Sequence, residues 1–339
     1  MEWDEAISHV VQQLKTLQKT YPPESFAGIA TPACTNEEAY LFQKFLRAVL
    51  KTSNIDFFDS PFEIDIPPEF ISLFSTTAEY RTIETAKQIL ITSDNPALQY
   101  PIIDALVRRA QRKNKATVDF VDGTLPDISD ELPTVFLYSK KIFNWDANQL
   151  EQLLSMSGQR FLHLFPLLFK SNGLGLVNMG VTPNLFPGQK RINDIEERKK
   201  FENAWKTNLP EQPGLSIDKI LEKTFTEDIR VIYLMGDIPE SIEHDDTIKR
   251  SLSKAELLVV QSPYHSRLFS DAEVILPPLT LEESDGTITN IEGRISPLSV
   301  PVSMRGQNKQ GREIIAQIST LMGYPMTLSN LDEINREIN

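Results

Sequence analysis

The chain is poor in the residues that bind metals and clusters. Its 339 residues include one cysteine, Cys34, so no disulfide can form within the chain. An iron–sulfur cluster needs about four thiolates, which excludes an ordinary cluster held by this chain alone. None of the four histidines stands at a zinc-ligand spacing from another histidine or from Cys34; they are His9, His163, His244 and His265. We expect no metal site.

Long apolar runs and an excess of positive charge are also absent. No stretch approaches the roughly 20 apolar residues that cross a bilayer. The acidic start, residues 1–5, has neither the basic nor the apolar region of a secretory signal, so we expect a cytoplasmic protein without direct membrane insertion. The 34 Lys and Arg against 47 Asp and Glu give a net charge of −13. Such a charge repels a phosphate backbone, and nucleic acid is not an expected partner.

Apolar periodicity predicts an α/β fold in two lobes. Near-continuous apolar runs alternate with amphipathic stretches, a pattern typical of parallel sheets covered by helices on both faces. The first set of predicted strands comprises 88–92, 117–121, 134–138 and 161–165, and the second comprises 230–235, 257–261 and 273–276. Ahead of both sets, helical spacing predicts a helix over 3–17, a strand over 26–30 and a helix from residue 36 to about 50.

Two of these strands end in the same way. The apolar runs stop at the polar turns 92–96 and 235–239, each closing on a proline before a helix. In open parallel sheets, ligands bind outside the carboxyl ends of such strands. The pattern fits a nucleotide-like ligand between two lobes, and it fits ordinary strand-to-helix turns equally well.

Six blocks, in this order, resemble the molybdopterin oxidoreductases. They are 3–6 (WDEA), 35–45 (TNEEAYLFQKF), 93–96 (SDNP), 175–188 (GLVNMGVTPNLFPG), 235–239 (MGDIP) and 285–294 (DGTITNIEGR). The order and spacing carry the resemblance, since any one block is weak. The chain is most similar to the pterin-domain region of the NADH dehydrogenase (complex I) large subunit and the formate dehydrogenase alpha subunit.

The resemblance implies two Rossmann-like, doubly wound lobes, one inserted in the other. We expect residues 1–56 to form the first part of lobe A and 217–339 its second part. Lobe B is expected at 81–170, with a connection at 57–80 and an irregular connection at 171–216. The resemblance also places eight residues at a pterin cleft, and we interpret them as vestigial positions without a bound cofactor: Asn36, Glu37, Asn95, Asp237, Gln261, Gly286, Asn290 and Arg294.

The resemblance also indicates what a catalytic relative would add. Formate dehydrogenases carry a four-cysteine iron–sulfur domain before the matching region and a further domain after it, and we expect both to be missing here. Where they place a metal-binding Cys or selenocysteine followed by His, this chain has NIDFFDSP at residues 54–61. Asp59 or Ser60 could coordinate a metal, but the neighbouring Phe57 and Phe58 indicate apolar filling of that cavity.

Three further features favour ordinary structural roles. Cys34 stands alone, and we interpret it as a buried, inert thiol. His265 has no nucleophile beside it in any motif, which favours a loop histidine. The carboxylates Glu282, Glu283 and Asp285 could suggest acid–base chemistry or a cation site, but an isolated acidic loop is typically solvated. We predict no catalytic residue.

These features predict a non-catalytic structural or assembly subunit of a multi-subunit NADH- or formate-linked electron-transfer complex. The expected partners are iron–sulfur and flavin subunits, which would place the chain in the cytoplasm or on the inner face of the membrane through its complex. Contacts are expected through the N-terminal helix or the apolar segment 57–80, unless those side chains fold into the chain's own core. Two other hypotheses remain open: a minimal molybdopterin-binding oxidoreductase subunit completed by partner chains, and a free-standing module that binds a nucleotide or small molecule.

The single cysteine yields the first testable prediction. The purified chain should contain no stoichiometric iron and no acid-labile sulfide, because one thiolate cannot replace the set of ligands that a cluster needs. Colorimetric iron and sulfide assays measure both. One cluster bound per isolated chain would contradict the prediction.

Overall fold

The computed structural model describes residues 2–61, 67–92, 96–126, 128, 131–157, 161–168, 171–298, 308–326 and 331–338. The helices are α1 (Trp3–Thr20), α2 (Asn36–Ala48), α3 (Tyr80–Thr85), α4 (Pro96–Gln99), α5 (Pro101–Asn114), α6 (Ala147–Met156), α7 (Gly173–Asn178), α8 (Ile195–Trp205), α9 (Ile217–Phe225), α10 (Glu240–Glu243), α11 (Asp246–Leu252), α12 (Gly311–Leu321) and α13 (Leu331–Ile338). None of these helices is long and apolar enough to span a membrane.

Most of the described strands follow the predicted apolar runs. They are β1 (Phe26–Ala30), β2 (Ile55–Phe57), β3 (Gln88–Ile91), β4 (Thr117–Phe120), β5 (Thr134–Tyr138), β6 (Leu162–Pro166), β7 (Leu185–Phe186), β8 (Lys190–Arg191), β9 (Val231–Met235), β10 (Leu257–Gln261), β11 (Val274–Leu276), β12 (Gly286–Thr289) and β13 (Ile295–Leu298). Strands of two parallel sheets alternate with helices along the chain, which confirms the α/β class.

The chain divides into two compact units. The first comprises Met1–Glu63, Ser171–Thr289 and Ile295–Asn339, and the second comprises Ile64–Lys170 and Asn290–Arg294. The assignment of Rossmann-like lobes with the boundaries given above stays a prediction.

The first unit is built on a five-stranded parallel sheet in the order β11-β10-β9-β1-β2. Every residue of β1, β9 and β10 is buried, because helices cover both faces of a parallel sheet and the strands must be apolar throughout. On one face, Ala27, Ile232 and Leu258 share a core cluster with Ile220 of α9 and Leu252 of α11. The buried core of this unit therefore includes the sheet and the helices that precede β9 and β10.

Helix α2 lies closely against this sheet. Its first turn is fixed by a capping box, in which the Thr35 hydroxyl accepts from the Glu38 amide at 3.1 Å and the Glu38 carboxylate accepts from the Thr35 amide at 2.9 Å. A Cβ at Gly28 of β1 would lie 2.1 Å from Leu46 Cδ1, so a larger residue at this position would force the Leu46 side chain to move. All residues of α2 are buried, polar ones included, and each of those polar groups needs a partner inside the protein.

Arg47, near the end of α2, shows how such a partner is supplied. Its guanidinium donates to Gln43 Oε1 and to the Gly180 and Thr182 carbonyls, each at 2.7 Å, and stacks 5.3 Å from the Phe186 ring centre. Burial lowers the pKa of this guanidinium to about 9. The contacts tie the glycine-containing block 175–188 to α2, so at least part of that block has a structural role.

The second unit contains a four-stranded parallel sheet in the order β4-β3-β5-β6. Its core includes Ile89 and Ile91 of β3, Val135 of β5, and Ile103 and Val107 of α5. Strand β4 lies at the edge and is mostly exposed.

Both segments expected to be connections contain regular structure. Segment 171–216 is not irregular, because it contains α7, α8 and a hairpin of β7 and β8. Segment 57–80 contains a 3₁₀ helix, Pro68–Phe74, whose side chains Phe70, Leu73 and Phe74 are at most 1% exposed. They pack within the second unit, since Phe74 contacts the Phe143 ring at 5.5 Å.

Those buried side chains cannot form the expected partner surface. The apolar face of α1 is equally covered, with Ile7, Val10 and Leu14 fully buried. Of the other apolar residues in 57–80, Phe62, Ile64 and Ile66 lie outside the described residues. The alternative, that these segments fold into the chain's own core, holds for the residues that the structure describes.

The second prediction concerns Arg47. Arg47→Met should lower the free energy of unfolding by about 2–4 kcal/mol, because it leaves the buried Gly180 and Thr182 carbonyls without donors. Urea denaturation followed by circular dichroism measures the change. Arg191→Met, which removes an exposed arginine of the same unit, is the matched control and should change stability by less than about 0.5 kcal/mol. Equal effects of the two variants would contradict this role of Arg47.

Candidate functional site

The N-terminus of α2 meets strand β12 in the first unit. Glu37 is fully buried and its carboxylate accepts from the Thr287 amide at 2.8 Å and from the Thr287 hydroxyl at 2.9 Å. The Asn36 amide donates to the hydroxyls of Thr287 and Thr289 at 3.0 and 3.1 Å. Two residues predicted to line the pterin cleft are therefore bonded to the chain's own strand.

A third side chain, Asn172, completes this arrangement and was missed by sequence reasoning. Its Oδ1 accepts from the Thr289 amide at 2.7 Å, and its Nδ2 donates to the Cys34 carbonyl at 2.9 Å. Asn172 is 1% exposed. Its position just before the glycines that open α7 was the only available signal. We call Asn36, Glu37, Asn172, Thr287 and Thr289 the α2–β12 network.

Two glycines of the family-like blocks border the α2–β12 network because they lack a side chain. A Cβ at Gly175 would lie 2.0 Å from Asn172 Oδ1 and 2.2 Å from Asn36 Oδ1. Gly286 has φ +138° and its Cβ would lie 2.8 Å from Glu37 Oε2. At both positions the close approach is to side chains of the network itself, so these glycines serve internal packing.

Gln261 lies at the end of β10 and is also fully engaged. Its side-chain oxygen accepts from the Tyr233 hydroxyl at 2.8 Å, and its amide donates to the Gly311 carbonyl at 3.1 Å. A Cβ at Gly311 would lie 2.3 Å from Glu38 Oε1 and 2.8 Å from Gln261 Nε2. Gln261 and the first turn of α2 thus meet at the start of α12.

The acidic loop before β12 holds carboxylates with structural partners. Asp285 forms an ion pair with the largely buried Arg312 at 2.7 Å. Glu283 closes a capping box with Thr280, accepting from its amide at 3.1 Å, and Glu282 is exposed. Two of the three carboxylates therefore have structural partners, where the sequence suggested a solvated loop.

Three more of the predicted cleft residues lie in the described part of the chain. Asp237 follows Gly236 at the end of β9, and partial burial raises the pKa of its carboxyl. Asn290 and Arg294 belong to the second unit, where the Asn290 side-chain oxygen accepts from the Arg294 amide at 2.9 Å. Asn95 lies outside the described residues.

Cys34 and His265 lie in ordinary surroundings. The Cys34 thiol is 2% exposed and contacts the Thr31 carbonyl at 3.5 Å. Burial, followed by the nearby Glu38 and Glu37 carboxylates, raises the pKa of the thiol well above its usual value. A thiol kept protonated in this way is a poor nucleophile and a poor metal ligand. His265 is exposed and lies beside the Phe269 ring.

Most of segment 54–61, where the resemblance would place a metal-ligand motif, is buried. Phe57 and Phe58 are 1% and 3% exposed. Between β2 and α9, the fully buried Asp56 carboxylate accepts from the Phe57 amide at 3.0 Å and from the Ile217 amide, at the first residue of α9, at 2.8 Å. Burial raises the pKa of Asp56 to about 7, although these hydrogen bonds and one from Ser60 oppose the shift.

The described side chains of segment 54–61 do not form a set of metal ligands. Within the described ranges, no cluster of three or more His, Cys, Asp or Glu could hold a metal ion. Asp59 is exposed and lies in the left-handed region with φ +65°, whereas Ser60 is buried and bonded to Asp56. The arrangement can cap helices and join strands to helices, and the described side chains do not form a recognisable nucleophile, base and ligand set.

Comparison with known proteins relates this fold to oxidoreductases. The sequence matches the molybdopterin oxidoreductase family over residues 1–131 and 137–321. Formate dehydrogenase H of Escherichia coli is 22% identical, with the alignment covering 100% of this chain and 60% of that protein. An NADH-quinone oxidoreductase subunit of Rhizobium meliloti is 26% identical over 88% of this chain and 43% of that protein.

A solved structure that aligns with this chain over nearly its whole length has a similar fold. A chain of the formyltransferase/hydrolase complex from Methylorubrum extorquens, solved in complex with methylofuran, superposes with a TM-score of 0.57 and 11% identity, covering 95% of this chain and 96% of that chain. By contrast, this chain spans about half the length of the curated relatives that it matches. The family match extends over nearly all of the sequence and confirms the resemblance carried by the six blocks. The chain therefore belongs to the molybdopterin oxidoreductase family.

Proposed function

We propose that this chain is a non-catalytic structural subunit of a multi-subunit assembly related to NADH- or formate-linked electron-transfer complexes, and that it binds neither an iron–sulfur cluster nor a pterin. One observation carries the proposal. Asn36 and Glu37, the polar residues that open α2, direct their hydrogen-bonding groups at Thr287 and Thr289.

The α2–β12 network does not fit a polar cofactor. A pterin is recognised through donors and acceptors that are directed at it, and a buried group already bonded within the protein loses its partner if it turns towards a ligand. Breaking such a bond leaves a buried group unsatisfied, at a cost of about 1–3 kcal/mol. Asn36, Glu37 and Asn172 each make at least two internal contacts. Binding through these side chains would therefore work against the fold.

The segment 54–61 does not fit a metal centre either. Both oxygens of the Asp56 carboxylate accept from backbone amides, and the two following phenylalanines are buried. A metal ligand in this position would need a side chain that points into an open cavity. The chain instead uses the segment to join β2 to α9, which supports loss of the metal function.

The proposed partners are iron–sulfur and flavin subunits, acting in the cytoplasm or on the inner face of the membrane through the complex. Support comes from a relative that is itself named as a subunit, the NADH-quinone oxidoreductase subunit of Rhizobium meliloti. In such an assembly electrons would travel through clusters held by other chains. This chain would provide contact surfaces for the other subunits and set the distances between them.

A formyl-transferring complex is the second candidate host. The fold match to a chain of the Methylorubrum extorquens formyltransferase/hydrolase complex extends over 95% of this chain and 96% of that one, whereas the oxidoreductase relatives are about twice as long. In this host the chain would also be structural, but its partners would be a formyltransferase and a hydrolase. The identity of the co-purifying subunits separates the two hosts.

Purification of the tagged chain from its native host tests the proposal. Under mild detergent, we expect stoichiometric partner subunits and, in the chain separated from them, less than about 0.1 equivalents of molybdenum or tungsten and no pterin fluorescence. Iron–sulfur or flavin spectra in the partner fraction favour the electron-transfer host, and formyl transfer activity favours the second.

The control is formate dehydrogenase H purified and analysed in the same way, which establishes that the metal and pterin assays detect a bound cofactor. A metal and a pterin retained by this chain at about one equivalent would overturn the proposal in favour of a minimal pterin-binding oxidoreductase subunit. Recovery of the chain as a lone monomer would overturn the assembly role.

The structural role assigned to Asp56 gives a prediction about pH. Because its pKa is raised to about 7 in the folded chain, the folded state binds more protons than the unfolded state between about pH 4 and 7. The contribution of Asp56 to stability is therefore greatest at low pH and is lost as pH rises through 7. Asp56→Asn should remove up to about 2 kcal/mol of this decline between pH 5 and 7.

Urea unfolding at pH 5, 6 and 7 measures the slope for each protein. The exposed Asp271→Asn is the matched control and should keep the wild-type slope. If Asp56→Asn keeps the wild-type slope as well, Asp56 is ionised in the folded chain at pH 5. That result would contradict a protonated Asp56 carboxyl between β2 and α9.

A further inference from the structure

A groove in the first unit lies apart from the α2–β12 network. It is a cavity of about 650 Å³ bounded by α9, α10 and α11 and by the residues that follow β2. This volume is in the range of pockets that hold a small ligand or a few side chains of a protein segment. Neither the α2–β12 network nor Gln261 contributes to its walls.

The floor of the groove is apolar. Ile217, Leu221 and Phe225 occupy successive turns on one face of α9 and line one wall, while Ile242 and Ile248 line the other. Along α9 the exposed fraction of the lining side chains rises, from 4% at Ile217 to 52% at Phe225. An aromatic ring left half in water beside an apolar cavity is typical of a contact surface.

The rim of the groove is acidic. Asp59, Asp218, Glu222 and Asp245 line it and are exposed, and Arg250 is the lining residue of opposite charge. Four carboxylates against one guanidinium leave a net charge of −3 on the rim. Asp218 and Glu222 are one turn apart on α9, directly beside the apolar row, so an apolar row with acidic borders faces the groove.

We propose that this groove docks a segment of a partner subunit whose apolar side chains are flanked by Lys or Arg. The inference rests on the proposed role as a subunit and adds the surface and the chemistry of the partner. Apolar anchors provide most of the affinity in such contacts, and complementary charges set the register and the rate of association. An amphipathic helix with anchors three or four residues apart has the form that a groove between two helices accepts.

Charge argues against a second copy of this chain as the occupant. The chain carries a net charge of −13, so bringing two acidic copies together at an acidic rim is unfavourable unless a local basic patch meets it. A basic partner segment instead gains electrostatic attraction at the same place. Its binding should weaken as ionic strength rises, since the rim charges are exposed and screened by salt.

The first experiment uses the tagged full chain purified with its subunits. Glu222→Lys reverses one rim charge, and Phe225→Asp removes the exposed apolar contact. We expect each variant to lower partner recovery about tenfold at about 150 mM salt, an ionic strength at which charge contacts at a surface still act. Wild-type recovery should fall as salt is raised.

Two variants with the same chemical changes away from the groove are the controls. Asp271→Lys reverses an exposed charge, and Leu321→Asp changes a side chain that is 44% exposed at the end of α12. Both should retain partner recovery within about twofold of wild type. Thermal unfolding by circular dichroism is measured for all four, because a groove variant that loses its partner must still fold for its loss to count.

The second experiment identifies the occupant directly. A photoreactive benzoylphenylalanine is placed at position 225 and irradiated in the assembled complex, and the cross-linked peptide is sequenced. The expected peptide belongs to a co-purifying subunit and contains apolar residues with Lys or Arg beside them. Introducing Glu222→Lys into the same protein should reduce this cross-link about tenfold.

The outcomes separate the two proposals. An intact complex whose recovery is unchanged by Glu222→Lys and Phe225→Asp overturns the groove proposal and leaves the subunit role in place. A cross-link to a second copy of this chain, to an acidic segment, or to no protein overturns it in the same way. A chain that co-purifies with no subunit overturns both.

Discussion

The first turn of α2 is the constraint on which the first unit depends. A buried helix end presents backbone amides that must find acceptors, and here Thr35 and Glu38 provide them within the turn. That leaves Asn36 and Glu37 free to reach across to β12, and their bonds fix where the hairpin of β12 and β13 begins. Loss of the capping box would shift the side chains that hold the hairpin, so a local backbone requirement and a long-range contact depend on the same four residues.

This dependence explains how family-like blocks can be retained for structural reasons alone. Gly175 and Gly286 are needed because side chains of the α2–β12 network occupy the space where a Cβ would lie. Gly180 supplies a carbonyl to the buried Arg47. A block retained for such reasons is indistinguishable, in the sequence, from a block retained for a ligand. The difference is visible only when the partner of each polar group is known.

Most strands of the two parallel sheets could be predicted, because strands covered on both faces are largely apolar and this pattern is local. Strand β2, only three residues long, was not predicted. The short helix α7 could not be predicted, since its glycines and the following prolines are typical of loops while its stability comes from packing. The same limit applies to the α2–β12 network. Glu37 and its partner Thr287 are 250 residues apart along the chain, and no local pattern links them.

Apolar content alone could not decide between a contact surface and a core position for Phe70 and Phe74. Their segment has the composition of a contact surface, but it packs into the core of the second unit. The apolar row of α9, in contrast, has the pattern of the inner face of an ordinary amphipathic helix, although its last member is half exposed. Burial depends on which neighbours the fold supplies, and the sequence of one helix does not contain that information.

The buried contacts of the Arg47 guanidinium limit how early the first unit can fold during synthesis. Its carbonyl partners lie 133 and 135 residues further along the chain. Strand β9, which pairs with β1, is synthesised later still. On the ribosome, α2 therefore emerges well before anything exists that can cover its charged end. The main segment of the second unit, Ile64–Lys170, is synthesised in that interval and can fold before Gly180 and Thr182 are made. During translation, the Arg47 guanidinium of α2 therefore stays hydrated until the Gly180 and Thr182 carbonyls have been synthesised.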